Sequence, residues 1–344
     1  MSMQSYFLQR LLLIIPTFIG ITLLVFTLTR LVPGGPIERM LAEAQFSGAA
    51  TSSSSNGFGA QSLSEDQLDQ LKAYYGFDKP VIQSYFEWLL KILTLDLGES
   101  TRYGEPVWES IKDRLPISVF YGVTTMILTY LLCIPLGIVK AIKHGAPFDH
   151  ISSAFIFISY AVPGYVIGIA CIAYFAANLE WFPLGGFVSD EFEYLSTWEQ
   201  IKDVLNHAAL PLIAYMSGSL AVMTFMMKNA LMENLAADYV RTATAKGFSF
   251  KQAVSRHALR NSLIPLATHF GQNIGVILGG SFLIEKIFNI DGIGLLGYEA
   301  LVERDYPVVM GILVISAVLY LIGNILSDLC VAWADPRIRF GERK

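Results

Sequence analysis

Charge is what this sequence is short of. Lys, Arg, Asp and Glu make up 15% of its 344 residues, where a soluble globular chain carries about 25%. That deficit, beside 53% hydrophobic content, predicts that much of the surface faces lipid rather than water. Cysteine is scarce too. Cys133, Cys171 and Cys330 are odd in number and each lies inside an apolar run, which argues against a disulfide framework and for small apolar fillers. An excess of positive charge is missing: a net charge of -5 without a basic stripe argues against a nucleic-acid partner. The string Gly-x-x-x-x-Gly-Lys-Ser/Thr is absent as well. Without that loop of backbone donors to cradle ATP phosphates, hydrolysis would have to occur on another chain.

What is present in abundance is membrane-length apolar sequence. Low-charge stretches occur at residues 11–29, 117–139, 151–177, 208–227, 264–284 and 308–331. Each is long enough, at about 1.5 Å per residue, to cross a hydrocarbon core of about 30 Å. The first follows Arg10, exceeds a signal-peptide core, and leads into Val32-Pro33-Gly34-Gly35-Pro36 rather than a small-x-small cleavage site, so it reads as a retained helix. Six spans place both termini on one side. Lys140 and Lys143 in one connection, six Lys and Arg from Lys228 to Arg260 in another, and Arg337, Arg339, Arg343 and Lys344 in the tail identify that side as the cytoplasm. The opposite connections, 178–207 and 285–306, are acidic.

Four parts follow: residues 1–32 with the first helix, 33–115 as a small extracytoplasmic region, 116–334 as a five-helix core, and 335–344 as a cytoplasmic tail. In the second part, residues 51–57 read as a Ser-rich flexible linker. Ser64 and Gln67 form an expected capping box before Leu68, Leu71 and Tyr75, with Gly76 as the stop. Ile82, Tyr85, Phe86, Leu89, Leu90 and Leu93 then recur at helical spacing while Glu87 and Lys91 face away, the pattern of a helix lying on the outer membrane surface. Docking of a soluble partner and plain structural cover both fit it.

Residues 228–262 look built rather than loose. Residues 229–246 hold no Pro or Gly, Gly247 provides a break, and Ser249 with Gln252 reads as a second capping box. A hairpin lying on the membrane would suit Lys251, Arg256 and Arg260 equally well. The string Tyr239-Val240-Arg241-Thr242-Ala243-Thr244-Ala245-Lys246-Gly247, with His257-Ala258-Leu259-Arg260-Asn261 and Pro265 downstream, resembles the EAA loop of binding-protein-dependent ABC permeases in its peptide-transporter form. Arg241 stands where the founding pattern has glutamate. The likeness extends to Leu95-Asp96-Leu97-Gly98-Glu99-Ser100, Asp113-Arg114-Leu115-Pro116, Arg304-Asp305-Tyr306-Pro307 and Asp335-Pro336-Arg337-Ile338. The string from Phe288 to Glu299 and the Ser-rich insertion look closest to the Yej-type subgroup, whose members resemble importers of oligopeptides and of the peptide-nucleotide antibiotic microcin C.

The resemblance implies an all-α type I ABC importer permease with six transmembrane helices in the bacterial inner membrane. It implies a second permease subunit, a paralogue, beside this chain, a cytoplasmic ATPase that uses ATP and Mg, an extracytoplasmic substrate-binding protein and a peptide substrate. This chain would bind no cofactor and no metal and be no enzyme. Residues Arg241, Thr242, Ala243, Thr244, Ala245, Lys246 and Gly247 would form the helix that couples to the ATPase.

In the fifth span His269, Gln272 and Asn273 fall at i, i+3 and i+4, a polar stripe suited to lining a pore or to interhelical hydrogen bonding. Gly271, Gly275 and Gly279 repeat every four residues on another face, as helix packing requires. An ion- or proton-coupled carrier is the competing reading, and a non-transporting scaffold a third. Spans two to four hold no ionisable group well inside, which speaks against a proton relay.

Overall fold

The computed structural model describes residues 3–31, 78–279 and 281–334, and every regular element among them is helical. Helix α1 is Met3–Leu31, α2 Val81–Leu93, α3 Val107–Ile142, α4 Pro147–Ala161 and α5 Gly164–Cys171, the last continued by a π-helical turn at Ile172–Asn178. Helix α6 is Thr197–Ala236, α7 Asp238–Ala245, α8 Phe250–Ala253, α9 Leu259–Ser262, α10 Ile264–Gly279, α11 Phe282–Ile287, α12 Ile293–Val302 and α13 Tyr306–Ala334. The motifs expected at residues 32–36, 51–57, 64–76 and 335–338 lie outside the described residues.

Among the described residues, three helices are long and apolar enough to cross a membrane: Val107–Ile142, Thr197–Ala236 and Tyr306–Ala332. A fourth span arises if Pro147–Ala161 and Gly164–Asn178 count as one, with a bend of 100° between them. Residues 151–177 are therefore not the straight span expected. The cause is local: Pro163 offers no N–H to continue the ladder, and its ring pushes Val162 into the extended conformation seen there, φ -91° and ψ 125°. The expected fifth span is interrupted as well. Helix α10 stops at Gly279 after 16 residues, Ser281 is extended, and α11 starts afresh at Phe282. The first expected span falls within α1, whose Leu11–Thr27 is a shorter apolar helix by the same measure.

The chain divides into two compact units. One is made of Met1–Leu13, Arg114–Leu296 and Val318–Lys344, the other of Ile14–Asp113 and Gly297–Ala317. In the second unit α2 lies on α1: Thr22 and Tyr85 share a hydrogen bond of 3.0 Å, and the Phe26 ring meets Tyr85 and Trp88 at 5.6 and 5.3 Å. The apolar stripe read from sequence thereby splits. Tyr85 is buried against α1, while Ile82, Phe86, Leu90 and Leu93 remain exposed as an apolar face of the kind that enters a membrane surface. In the same unit two of the short strings named above meet. Ser100 donates to the buried Asp305 at 2.5 Å, the Arg102 amide donates to the same oxygen at 3.2 Å, and the Arg102 guanidinium pairs with Glu299 and Glu303.

Two cores are seen among the described residues of the first unit. Cys133 of α3, Met227 and Leu231 of α6, Val240 and Ala243 of α7, and Leu266 of α10 belong to one. Tyr121, Leu210, Ala214, Ile284 and Phe288 belong to the other.

Candidate coupling surface and solute cavities

Helix α6 does not stop where residues 228–262 begin; it runs on to Ala236. The single helix expected over 229–246 is broken at Ala237, which is extended at φ -72° and ψ 147°. Geometry accounts for the break. At about 100° per residue, Leu231 and Val240 would stand on opposite faces of an unbroken helix, yet both are buried in the same core. Starting a new helix at Asp238 resolves the conflict, and an acidic residue is favourable at that position.

Helix α7 ends as its sequence predicts. Gly247 has φ +91°, the left-handed conformation that glycine adopts without a Cβ penalty. The Phe248 amide donates to the Ala243 carbonyl at 3.2 Å and the Gly247 amide to Thr244 at 3.0 Å, the paired bonds of a Schellman motif. The next turn is capped reciprocally, Ser249 N–H to Gln252 Oε1 at 3.0 Å and Gln252 N–H to Ser249 Oγ at 3.4 Å. Tyr239 donates to Asn234 and accepts from the Asn261 amide at 3.2 Å, which closes α7 onto the end of α6 and onto α9.

Of the seven residues assigned to ATPase coupling, six are exposed: Arg241, Thr242, Thr244, Ala245, Lys246 and Gly247. The seventh, Ala243, is 5% exposed and faces the core with Val240. It offers nothing to a docking partner. Its place in the core instead connects the exposed ridge to Met227 and Leu231 of α6 and to Cys133 of α3.

Beside this loop lies a cluster that sequence reading treated as loop charge. Lys140 is fully buried, and its ammonium group donates to the Asp149 carbonyl at 2.9 Å and to Ser152 and Ser153 at 2.8 Å, with the Asp149 carboxylate at 3.0 Å. Lys228 donates to both carboxylate oxygens at 2.8 Å. One buried anion thus holds two cations, tying α3 and α4 to the stretch of α6 that leads into α7. No residue spacing announces it, because the three groups meet only when α3, α4 and α6 are packed.

Two cavities follow in the same unit. One, of about 330 Å³, is lined by Ser118, Tyr121, Thr125, Tyr215, Asn273 and Glu285 among others. The second, of about 360 Å³, includes Tyr160, Pro163, Met223, His269 and Asn273. Two members of the predicted polar stripe, His269 and Asn273, therefore line cavities, and Asn273 lines both. Its amide also reaches Tyr130 Oη at 3.4 Å, so a packing bond and a cavity surface coexist in one side chain. The side-chain surroundings of Gly271, Gln272, Gly275 and Gly279 lie outside the described residues.

Glu285 is 2% exposed at the first cavity's wall. Its carboxylate accepts the Leu295 amide at 2.6 Å and the Tyr215 hydroxyl at 3.2 Å. Burial pushes this carboxyl above its ordinary range, against those donors. Gly292 makes the seat: a Cβ there would lie 2.6 Å from Glu285 Oε2. The segment around it is held by Arg114 to Asp291 at 2.7 Å and by the Ile293 amide to Ser118 at 2.8 Å. Sequence reading had quoted these strings only for their likeness, and the structure pairs them in space.

Residues 133–340, which contain α7 and both predicted site regions, match the family described as binding-protein-dependent transport system inner membrane component. The chain is 38% identical to the peptidoglycan transport system permease protein YejB of Agrobacterium fabrum, with 99% of this chain and 100% of the relative covered. It is 37% identical to the inner membrane ABC transporter permease protein YejB of Escherichia coli O157:H7, at 99% and 100%. With the dipeptide transport system permease protein DppB of Escherichia coli K12 it shares 34%, at 98% and 99%. These likenesses support neither a secondary carrier nor a scaffold. On that match and on its apolar all-helical build, the chain belongs to the family of binding-protein-dependent transport system inner membrane components: it is a multi-pass permease subunit, not an enzyme, and ATP is hydrolysed on a separate subunit.

Proposed function

We propose that this permease carries peptides or peptide-like solutes inward and forms half of the translocation path, with a paralogous second permease supplying the other half. The relatives' names specify peptidoglycan, oligopeptide and dipeptide transport, and the chemistry these share is the peptide chain. An extracytoplasmic binding protein delivers the solute, and both termini lie in the cytoplasm, the side the basic connections select. The cytoplasmic ATPase docks on the exposed ridge of α7, at Arg241, Thr242, Thr244, Ala245, Lys246 and Gly247.

One observation supports this reading most: α7 presents a polar ridge outward and, through Val240 and Ala243, shares a core with α3 and α6. Those two helices also line the first cavity, through Tyr121 and Tyr215 among others. A push on α7 is therefore delivered to the cavity walls as movement of packed helices, the rigid-body class of transition.

The test is peptide uptake into vesicles holding this chain with its second permease, ATPase and binding protein, with and without internal ATP and with the proton gradient collapsed. Uptake that needs ATP and survives loss of the gradient is expected. Uptake by the chain alone that follows the gradient would overturn the proposal.

A further inference from the structure

The two cavities meet at a short shared wall made of Gly164, Gly218, Ser219 and Asn273. Its two glycines differ in what a side chain would encounter. At Gly164 an added Cβ would sit 2.6 Å from the Ala214 carbonyl oxygen, so this glycine exists to let α5 pack against α6. At Gly218 an added Cβ meets nothing within 4 Å. Glycine inside a helix costs about 0.5–1 kcal/mol relative to alanine, and here no close contact explains it. The open space in front of Gly218 belongs to both cavities.

The neighbouring groups suit a solute of peptide type. Asn273 offers a donor and an acceptor, and Ser219, whose hydroxyl donates to the Met216 carbonyl at 3.2 Å, offers an acceptor, groups that serve any main-chain amide whatever its side chains. Asn273 is restrained by its bond to Tyr130, whose hydroxyl in turn donates to the Leu266 carbonyl at 3.0 Å. The amide side of the wall is held in place and the glycine side is bare backbone, so the bore at this point is set by what residue 218 lacks.

We propose that Gly218 is the width-determining residue of the solute path along this chain: solute passes from one cavity to the other in front of it, and its missing side chain admits bulky residues of a peptide. The solute class rests on the function proposed above; the position of the neck does not.

The complete transporter, reconstituted with its partners, is to be compared with Gly218→Ala, Gly218→Val and Gly218→Leu forms for ATP-dependent uptake of trialanine and triphenylalanine. Gly218→Val is expected to cut triphenylalanine uptake about tenfold or more while trialanine uptake changes little, and Gly218→Leu to cut both. Unfolding midpoints do not fall below the wild-type value, because the new side chains enter open space and relieve the helix of a glycine. Gly164→Ala, by contrast, lowers the midpoint through its clash with α6. If wild type imports triphenylalanine and the Val and Leu forms import it equally well, or lose both peptides alike at Val, the neck is overturned. Uptake of neither peptide by wild type would instead count against the peptide reading. The neck then stands or falls on a second measurement: Gly218→Cys, in a chain whose three native cysteines are replaced, reacting with a water-soluble maleimide in at least one nucleotide state. No reaction in any state overturns the proposal whatever solute is carried.

Discussion

Asp149 sits under two lysine ammonium groups, and that imbalance sets what its removal does. Without the carboxylate, Lys140 and Lys228 would each keep a charge in surroundings where one is fully buried and the other nearly so. Removing one partner of such a pair costs about 3–5 kcal/mol. Asp149→Ala is therefore expected to lower the thermal unfolding midpoint of the detergent-solubilised chain, and Met at both lysines in the same background to recover most of the loss. An unchanged midpoint would mean that water reaches these ammonium groups. From sequence alone Lys140 and Lys143 are equivalent loop charges that report orientation. Which lysine turns inward depends on α6 lying beside α3, and no local pattern carries that information.

Single elements show where local preference and packing agree and where they compete. The end of α7 was legible because glycine, and almost no other residue, takes φ near +91° without strain. Gly247→Val forces a β-branched side chain into that conformation at a cost of about 1–2 kcal/mol. The expected outcome is less uptake per ATP hydrolysed in the complete transporter, with Gly247→Asn closer to wild type because asparagine tolerates the left-handed region. Coupling that is undiminished in the valine form would count against this loop geometry. The bend between α4 and α5 was also written locally, at Pro163, but an apolar run of membrane length hid it. The break at Ala237 was not written locally at all: alanine is a strong helix former, and only the need to bury Leu231 and Val240 in one core ends α6 there.

At the scale of the whole molecule, the surface of α7 has its proposed role only with a partner. Arg241 is 75% exposed, and its pairing with Asp238, itself 98% exposed, spans 3.7 Å, a geometry that contributes little to stability. Arg241→Glu is expected to leave the unfolding free energy within about 0.5 kcal/mol of wild type and the midpoint nearly unchanged, yet to reduce co-purification of the ATPase and ATP-dependent uptake, most visibly at low salt. A fall in the midpoint with full ATPase retention would make Arg241 a structural residue instead. The same logic applies to Ile82, Phe86, Leu90 and Leu93 of α2, apolar residues left outward in a chain whose family resides in a membrane.

Composition settled the environment, because a chain with so few charges cannot clothe itself for water, and a nine-residue string with its downstream partners pointed to the family before any fold was known. The Ser249–Gln252 capping box and the Gly247 stop were likewise readable, since each depends on atoms only a few residues apart. The sorting of Ala243 from its six exposed neighbours, the two-lysine seat of Asp149, the pairing of Arg114 with Asp291 and of Ser100 with Asp305, and the bare wall at Gly218 were not. Each of these joins groups far apart in the chain, sorts the faces of a helix, or measures the space between helices. Helical periodicity states which residues share a face; which face is covered, and by what, is set when the helices pack.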